Sequence, residues 1–286
     1  MANRMKRRSI AKQTVEILER GSYAREDGES ITIEDALRTS VSNTEHYAPG
    51  DFREVFATRD KTLRDADSSA MTRYEVINTT TLAAARTLVE NAPSRRVMCL
   101  NFASAKNPGG GFLGGSEAQE ESLARSTGLH ATINGVREYY ETNRECGTCL
   151  YTDHMIYSPD VPVFRDDRGI LLSSPYNVSF ITSPAVNAGA LAKTNPSEMS
   201  RIAPTMLGRI ERVLALSVIH NHRALVLGAW GCGVFQNDPI DVAGWFHEHL
   251  CKQPTLRGAF DVVVFAVLDK TQNLNIIRPF EERFGC

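Results

Sequence analysis

The chain has 286 residues, of which 42% are hydrophobic and 23% are charged, and its formal net charge at pH 7 is -2. This length and hydrophobic content are sufficient for a packed core that needs no metal or disulfide. The near-neutral charge disfavours a general nucleic-acid binder, so any polyanionic ligand must be met by a local site. The six cysteines are scattered and not spaced as a disulfide framework, which is typical of a reducing compartment.

The N-terminal segment is basic at first and continues into the amphipathic stretch 10–18, whereas a signal peptide would continue into an apolar core. No apolar run reaches the roughly 20 residues of a membrane span. We therefore expect a soluble, intracellular protein, cytoplasmic or nuclear and not secreted. Short apolar stripes at helical spacing predict a helical extension over residues 1–70, packed on a core of residues 71–286 as one structural unit.

Beyond residue 70 the predicted strands and helices alternate, which indicates parallel crossovers and an α/β three-layer sandwich. The predicted strands are 74–78, 97–102, 180–182, 224–227 and 261–268, and the predicted helices are 82–89, 206–218 and 239–250. Residues 151–166 are rich in aromatics and prolines, and we interpret them as one short strand with an extended excursion, an arm over the sheet.

A first glycine cluster, NPGGGFLGG, follows the strand 97–102. Gly109, Gly111 and Gly114 satisfy the dinucleotide-binding pattern G-x-G-x-x-G, but that pattern requires the first glycine directly after the strand and an acid at the next strand end. Both requirements fail, and no Gly-Lys-Ser/Thr follows to make a phosphate-binding P-loop. The cluster therefore has another use.

A second cluster, GAWGCGVFQNDP, follows the strand 224–227. Gly231 and Gly233 leave backbone amides free to converge, while Asn237 or Asp238 provides the N-cap of a helix with Pro239 at its first position. Such a loop and helix N-terminus bind phosphate without Lys or Arg. A tight turn that needs glycine only for positive φ is the alternative, but two such loops after core strands favour ligand binding.

A helix is predicted directly after the first cluster. Ser116 is a good N-cap, and Gln119 three residues later completes a capping box. The helix should therefore run from 117 to about 127 and end at Gly128.

Two acids, Glu120 and Glu121, lie in the first turn of this helix. A purely structural role would explain both acids, since acids stabilise a helix N-terminus and Glu121 could form an ion pair with Arg125. If the acids are catalytic, only one of them could act on the bond, and its neighbour would position the substrate, because adjacent helical residues diverge by about 100°. A helix N-terminus also favours the ionised carboxylate, so burial or a substrate phosphate would have to oppose that effect in a proton donor.

The order GGG (109–111), seven residues, QEE (119–121) resembles the signature of poly(ADP-ribose) glycohydrolases. Residues 101–129 are most similar to the compact, bacterial-type branch of that family, which also occurs in fungi. The likeness continues in YTDHMIYSPDVPVFRD, TSPAVNAGA and LVLGAWGCGVFQNDP, so four motifs in order cover about residues 70–270. The resemblance implies a macrodomain-like three-layer α/β/α sandwich with a mixed sheet.

The resemblance also implies hydrolysis of the ribose–ribose O-glycosidic bond at the ends of poly(ADP-ribose), which releases ADP-ribose. By position, Glu121 would protonate the departing 2′ oxygen and then activate water, Glu120 would bond ribose hydroxyls, and Gln119 would fix this arrangement. Phe235 would pack on a ribose. The substrate-binding residues that the resemblance implies are Asn107, Gly109, Gly110, Gly111, Gly231, Cys232, Gly233, Val234 and Phe235.

The resemblance implies neither a cofactor nor a metal. The C-x-x-C of Cys146 and Cys149 lacks a second pair at zinc spacing, and the H-E-H at 247–249 lacks the i,i+4 spacing of a zinc helix, so surface or packing histidines are expected there. The expected partners are poly(ADP-ribose) and ADP-ribosylated proteins, in the reversal of ADP-ribosylation after DNA damage. No membrane or sequence-specific nucleic acid is expected, and the protein should be a monomer.

Two other functions stay open. One is a non-catalytic reader that binds ADP-ribose, and the other is a hydrolase of mono-ADP-ribosyl or O-acetyl-ADP-ribose esters. The intact sequence 119–121 argues against the reader, because binding alone needs no proton donor at the scissile bond. The sequence assigns no residue to the adenine.

Overall fold

A computed structural model gives the fold and describes residues 2–25, 28–64, 71–93 and 96–285. The strands in this part of the chain are β1 (Ser22–Ala24), β2 (Ser30–Thr32), β3 (Glu45–Tyr47), β4 (Arg73–Ile77), β5 (Val97–Phe102), β6 (Met155–Arg165), β7 (Leu171–Ser183), β8 (Ala224–Leu227) and β9 (Val262–Ala266). The α-helices are α1 (Ala2–Arg20), α2 (Glu34–Ser42), α3 (Phe52–Arg64), α4 (Thr81–Asn91), α5 (Gln119–Ser126), α6 (Leu129–Ile133), α7 (Arg137–Glu145), α8 (Ala188–Thr194), α9 (Ile202–Ile219), α10 (Pro239–His247) and α11 (Arg278–Phe284).

One mixed sheet of seven strands forms the centre, in the order β3-β6-β7-β5-β8-β9-β4. The five strands from β7 to β4 run parallel, β6 is antiparallel to β7, and β3 is antiparallel to β6. Because β4, α4 and β5 follow one another and both strands belong to the parallel part, they form the predicted crossover. The predicted α/β/α class with a mixed sheet is confirmed.

Side chains of the central strands alternate between two hydrophobic cores, one on each face of the sheet. On β5, Met98 and Leu100 belong to one core, and Val97 and Cys99 belong to the other. All four are at most 2% exposed. A strand buried on both faces reads as a continuous apolar run, as expected for a parallel strand between two helical layers. Each fully buried aliphatic side chain contributes about 1.5–3 kcal/mol to folding.

The predicted elements of residues 71–286 agree with the structure to within a few residues, but the strand at 180–182 is only the end of the thirteen-residue β7. The helix predicted over 239–250 is α-helical only as far as His247, and a π-helical turn follows over Glu248–Lys252. No helix in the described ranges has both the length and the apolar character that a membrane crossing requires.

The N-terminal segment is mainly helical, as predicted, but it also contains three short strands that the sequence pattern did not indicate. β1 and β2 form an antiparallel hairpin. β3 pairs with β6 and so extends the central sheet, with His46 opposite Ile156. The division between an extension and a core at residue 70 stays a prediction, and residues 65–70 lie outside the described ranges.

The interpretation of residues 151–166 as an arm over the sheet was wrong, because β6 lies inside the sheet between β3 and β7. Its prolines are accommodated by irregular pairing: the register with β7 shifts between Ser158 and Val161, where Asp160 has a φ of 46°. Such a bulge interrupts the ladder locally and lets the strand continue. The Pro162 carbonyl accepts a hydrogen bond from the Gly128 N–H at 2.9 Å, which ties β6 to the end of α5.

Candidate active site

A cleft of about 830 Å³ opens at the carboxyl ends of the parallel strands. Both glycine clusters line it, because β5 and β8 are parallel neighbours and each cluster follows one of these strands. Ligands of open α/β sheets bind at this edge. The expected site residues that line the cleft are Asn107, Gly110, Gly111, Gln119, Glu120, Glu121, Gly231, Cys232, Gly233, Val234 and Phe235.

Gly110 is the point of closest approach between the first glycine loop and the two acids. It has a φ of +59°, and a Cβ built there would lie 2.5 Å from Glu121 Oε1 and 3.2 Å from Glu120 Oε2. Gly109, at φ +70°, faces the other way, since its Cβ would press on Phe112 and Ala124. Because Gly110 has no side chain, the two carboxylates can approach its backbone closely, and because Gly109 has none, Phe112 and Ala124 can pack against the loop.

The helix that carries the acids starts later than predicted. α5 begins at Gln119 with Ala118 as N-cap, and the expected Ser116 cap is wrong. Ser116 instead belongs to a turn in which its N–H donates to the Gly111 carbonyl at 3.2 Å. The Glu121 carboxylate takes the capping role, since its Oε2 accepts the Ala118 N–H at 3.0 Å.

Gln119 attaches the start of α5 to the end of β5. Its Oε1 accepts the Phe102 N–H at 2.9 Å, and its Nε2 donates to the Leu100 carbonyl at 2.8 Å and to Thr81 Oγ1 at 3.1 Å. The two backbone partners fix the amide orientation, because only the oxygen can accept an N–H. Gln119 thus sets the position of both acids relative to the sheet.

Glu120 is buried, with 3% of its surface exposed. Its Oε2 accepts the Ser104 N–H at 2.6 Å, and its Oε1 lies 3.3 Å from Asn101 Nδ2. Burial raises the pKa of Glu120 to about 8, although the hydrogen bonds from Ser104, Asn101 and the Gly109 backbone act to lower it. The nearby Glu121 charge adds to the rise. Glu120 is therefore protonated more readily than an ordinary carboxyl.

Glu121 is only partly buried and faces the glycine loop. Its Oε1 accepts the Gly111 N–H at 3.0 Å. Although neighbouring residues diverge on a helix, both carboxylates reach Gly110, because side-chain torsions bring the two ends together. The expected pair of Glu121 with Arg125 is wrong: the Arg125 guanidinium donates to the Ser116 carbonyl and the Ser122 hydroxyl.

The second loop is held open by Asn237. A Cβ at Gly231, where φ is +77°, would lie 2.4 Å from Asn237 Nδ2, which donates to the Val186 carbonyl at 2.7 Å. Asp238 is the N-cap of α10, since its Oδ1 accepts the Ile240 N–H at 2.8 Å, and Pro239 is at the first position as predicted. The positive end of α10 therefore lies directly behind the loop.

The sequence did not point to the far end of the cleft. The residues there come after β4 or from the end of β9 onward, and they are Thr79, Thr80, Thr81, Leu82, Ala266, Val267, Leu268, Lys270, Thr271 and Ile276. Asp269 orders this segment: its carboxylate accepts hydrogen bonds from the Thr271 hydroxyl and from the Ile276 and Ile277 N–H groups. Both strands end at the same sheet edge as β5 and β8, and this rule could have found the segment.

One cluster in the described ranges has a donor set suited to a metal, and it lies apart from the cleft lining. His46 Nε2 is 2.9 Å from His154 Nδ1, and Glu138 Oε2 is 3.6 Å from His46 Nδ1.

Cys146 Sγ donates to the Asn143 and Thr148 carbonyls. The expected packing role in H-E-H is confirmed for His249, whose buried ring bonds the Leu207 carbonyl.

Residues 11–166 match the family model described as microbial-type PARG, catalytic domain. The structure is similar to poly(ADP-ribose) glycohydrolase from Thermomonospora curvata, with 47% identity, coverage of 98% of this chain and 100% of that one, and a TM-score of 0.91. It is similar to the same enzyme bound to the inhibitor ADP-HPD, with 46% identity, the same coverage and a TM-score of 0.88.

A third similar structure is the glycohydrolase from Deinococcus radiodurans in complex with ADP-ribose, with 44% identity, coverage of 86% of this chain and 96% of that one, and a TM-score of 0.80. No curated protein sequence matches the chain. The family match spans more than half of the chain, and the structural matches are well above 30% identity. The chain therefore belongs to the microbial-type poly(ADP-ribose) glycohydrolase family.

Proposed function

We propose that this protein is a glycosidase that hydrolyses the ribose–ribose bond at the ends of poly(ADP-ribose) and releases ADP-ribose. The observation that carries the proposal is the convergence of Glu120 and Glu121 on Gly110, inside a cleft formed by two glycine loops. The glycine loops bring backbone close to a diphosphate, and a carboxyl group next to them is placed at the bond between two sugars.

The diphosphate binds between the two loops. Gly110 and Gly111 of the first loop and residues 231–235 of the second offer backbone groups to it, and the N-terminus of α10 adds positive potential. This explains how a chain of net charge -2 takes up a dianion. Asn107 and the Phe235 ring contact the riboses, with Phe235 supported by the ring of Tyr151 at 6.0 Å.

Glu121 is the general acid and base. Its carboxylate is partly exposed and lines the cleft, whereas Glu120 is buried and already bonded to the Ser104 N–H. In the proposed reaction Glu121 gives its proton to the leaving 2′ oxygen, and its carboxylate then takes a proton from the water that attacks the sugar carbon.

Glu120 and Gln119 support this step. Because Glu120 is held by Ser104 and Asn101, it presents a fixed oxygen to the ribose hydroxyls. Gln119 keeps both acids at a constant distance from the strand ends through its bonds to Leu100 and Phe102. Reactions of this kind lose much of their rate when the reacting groups are displaced by about 1 Å.

The test is release of ADP-ribose from automodified polymer, measured by chromatography. The wild-type chain should release it, and Glu121→Gln should abolish release while the affinity for ADP-ribose changes by no more than about tenfold. Glu141→Gln, at an exposed position on α7, is the matched control. Tight binding of ADP-ribose without release by the wild-type chain would make the protein a reader, and release only from mono-modified protein would make it an ester hydrolase.

We also infer that the enzyme acts as a monomer, inside the cell, on polymer attached to ADP-ribosylated proteins. Both loops and both acids belong to one chain, so a single copy carries every group that the proposed reaction uses. Light scattering during size-exclusion chromatography tests this, and a dimer mass at the concentration of the assay would contradict it.

A further inference from the structure

A second cavity, of about 230 Å³, lies beside the cleft. It is enclosed by the first turns of α1, by the outer face of α5 and by the turn 166–169 after β6. Glu117, Ser122 and Asp167 line both this cavity and the cleft, so the two spaces share one wall. Ser122 directly follows Glu121 in the sequence. A substrate that extends from the cleft across this shared wall reaches the second cavity.

Arg125 forms part of the cavity floor and is only 6% exposed. Its guanidinium donates to the Ser116 carbonyl at 2.6 Å and to the Ser122 hydroxyl at 3.3 Å. Both acceptors are neutral, and the carboxylates of Glu121 and Glu117 act on the Arg125 charge without bonding to it. Burial lowers the pKa of Arg125, as expected where solvent cannot stabilise the cation.

Arg165, at the end of β6, is 2% exposed and lies against Arg125. It donates to the Arg125 carbonyl at 3.3 Å, to the Gly169 carbonyl at 2.9 Å and to the Gln13 amide oxygen at 2.9 Å. Burial lowers the pKa of Arg165 to about 10. Asp166 acts on the Arg165 charge without bonding to it. Both guanidiniums are therefore buried and hydrogen-bonded only to neutral oxygens, which is costly because buried charges are normally paired.

The acids at the cavity are already bonded to other groups. Glu117 pairs with Arg7 at 2.7 Å, and Asp166 pairs with Arg168 at 2.9 Å. Asp167 accepts a hydrogen bond from the Thr80 hydroxyl at 2.6 Å. The lining carries five basic and three acidic side chains, and its exposed rim includes Lys6. The excess of positive charge therefore has no counterpart within the lining.

We propose that this second cavity binds a diphosphate, that of the ADP-ribose unit next to the one held in the cleft. The inference rests on the proposed function, because that unit is the leaving group of the reaction. An anion here offsets the excess of basic over acidic side chains in the lining. At about 30 Å³ per water molecule, the cavity has room for a diphosphate but not for a whole nucleotide, so the rest of the unit lies outside.

The consequence is a preference for polymer over a single ADP-ribose unit. The cleft alone determines the affinity for ADP-ribose, whereas the cavity adds affinity only for a substrate with a second diphosphate. Because the added contact is between charges at a partly open site, it weakens as salt is added.

The test reverses charge at the rim of the cavity and leaves the buried arginines in place. Asn3→Glu with Lys6→Glu changes the charge by three units at two exposed lining positions of α1. Ser9→Glu with Lys12→Glu makes the same change at two exposed positions of α1 outside the lining. At low salt, the first pair should raise the KM for polymer roughly tenfold and leave the Kd for ADP-ribose unchanged, whereas the second pair should change neither.

The outcomes separate the inference from the proposed function. If the wild-type chain releases no ADP-ribose from polymer, the proposed function fails and the polymer assignment fails with it. If the wild-type chain is active and the two double variants have equal KM for polymer, only the second-cavity inference is overturned.

A direct measurement uses inorganic pyrophosphate as the probe. Calorimetry on the wild-type chain saturated with ADP-ribose should detect one further pyrophosphate site, which Asn3→Glu with Lys6→Glu weakens. No binding would overturn the inference. Pyrophosphate binding with an unchanged KM for polymer would assign the cavity to a free anion and overturn its assignment to the polymer.

Discussion

The contact between Gly110 and the two acids gives a sharp test of the site geometry. Gly110→Ala places a methyl group 2.5 Å from Glu121 Oε1, and that oxygen must move by about 1 Å to restore a normal contact. The movement breaks its 3.0 Å hydrogen bond to the Gly111 N–H. A displacement of about 1 Å costs a reaction on the order of 100-fold in rate, so we expect kcat to fall by about that factor.

Backbone strain adds a separate effect on stability. A φ of +59° costs a residue with a Cβ about 1–2 kcal/mol, so the free energy of unfolding and the melting temperature should both decrease. Gly147→Ala is the matched control: its φ is +70°, but nothing lies within 4 Å of its Cβ. It should lose similar stability and keep its activity. Polymer hydrolysis and thermal unfolding of both variants decide the matter, and a wild-type kcat in Gly110→Ala would refute the geometric argument.

Three further predictions concern the supporting residues. Glu120 has a pKa of about 8 in the folded chain, above the usual value of 4.5, so its protonated form favours folding and this contribution is lost as pH rises from about 4.5 to 8. Over this range the melting temperature of Glu120→Gln should therefore increase relative to that of the wild type. A difference in melting temperature that does not change with pH would contradict the prediction. Gln119→Glu removes the donor to the Leu100 carbonyl and should lower the free energy of unfolding in urea by about 1–3 kcal/mol. Gln272→Glu, at an exposed position, shows whether the added charge alone has this effect. Burial acts to raise the pKa of Asp269, but hydrogen bonds from Thr271, Ile276 and Ile277 lower it to about 2, so the ionised carboxylate stabilises the fold above about pH 4 and this contribution is lost as pH falls through 2. Asp269→Asn should therefore melt at a lower temperature at pH 7 and bind ADP-ribose more weakly. An unchanged Kd for ADP-ribose would show that the segment after β9 is ordered without Asp269.

Patterns confined to one strand and its loop were enough to predict most of the core. The apolar runs at β5, β8 and β9 are continuous because both faces are buried, and the glycines after β5 and β8 mark where the backbone turns at the sheet edge. These local signals also identified the acids. The alternation of strands and helices predicted the two helical layers, and the mixed sheet followed from the family resemblance.

Contacts between distant segments account for what the sequence did not indicate. β3 has three residues and no apolar pattern, and it is a strand only because the edge of β6 is available for pairing. Ser116 fits an N-cap, yet its carbonyl is taken by Arg125 and the cap falls at Ala118. The bonds of Gln119 to Leu100 and Phe102 span almost 20 residues, so a local capping rule assigned it the wrong role.

The pairing of β3 with β6 bears on any attempt to shorten this protein. β6 has eleven residues, ten of them buried, and the N-terminal segment covers it through β3 and α2. Removing residues 1–70 would leave a long, apolar strand with unpaired backbone groups at the rim of the sheet. Such rims recruit strands from other molecules. A minimal catalytic version should therefore retain residues 34–47, since it would otherwise be lost to aggregation before its activity could be measured.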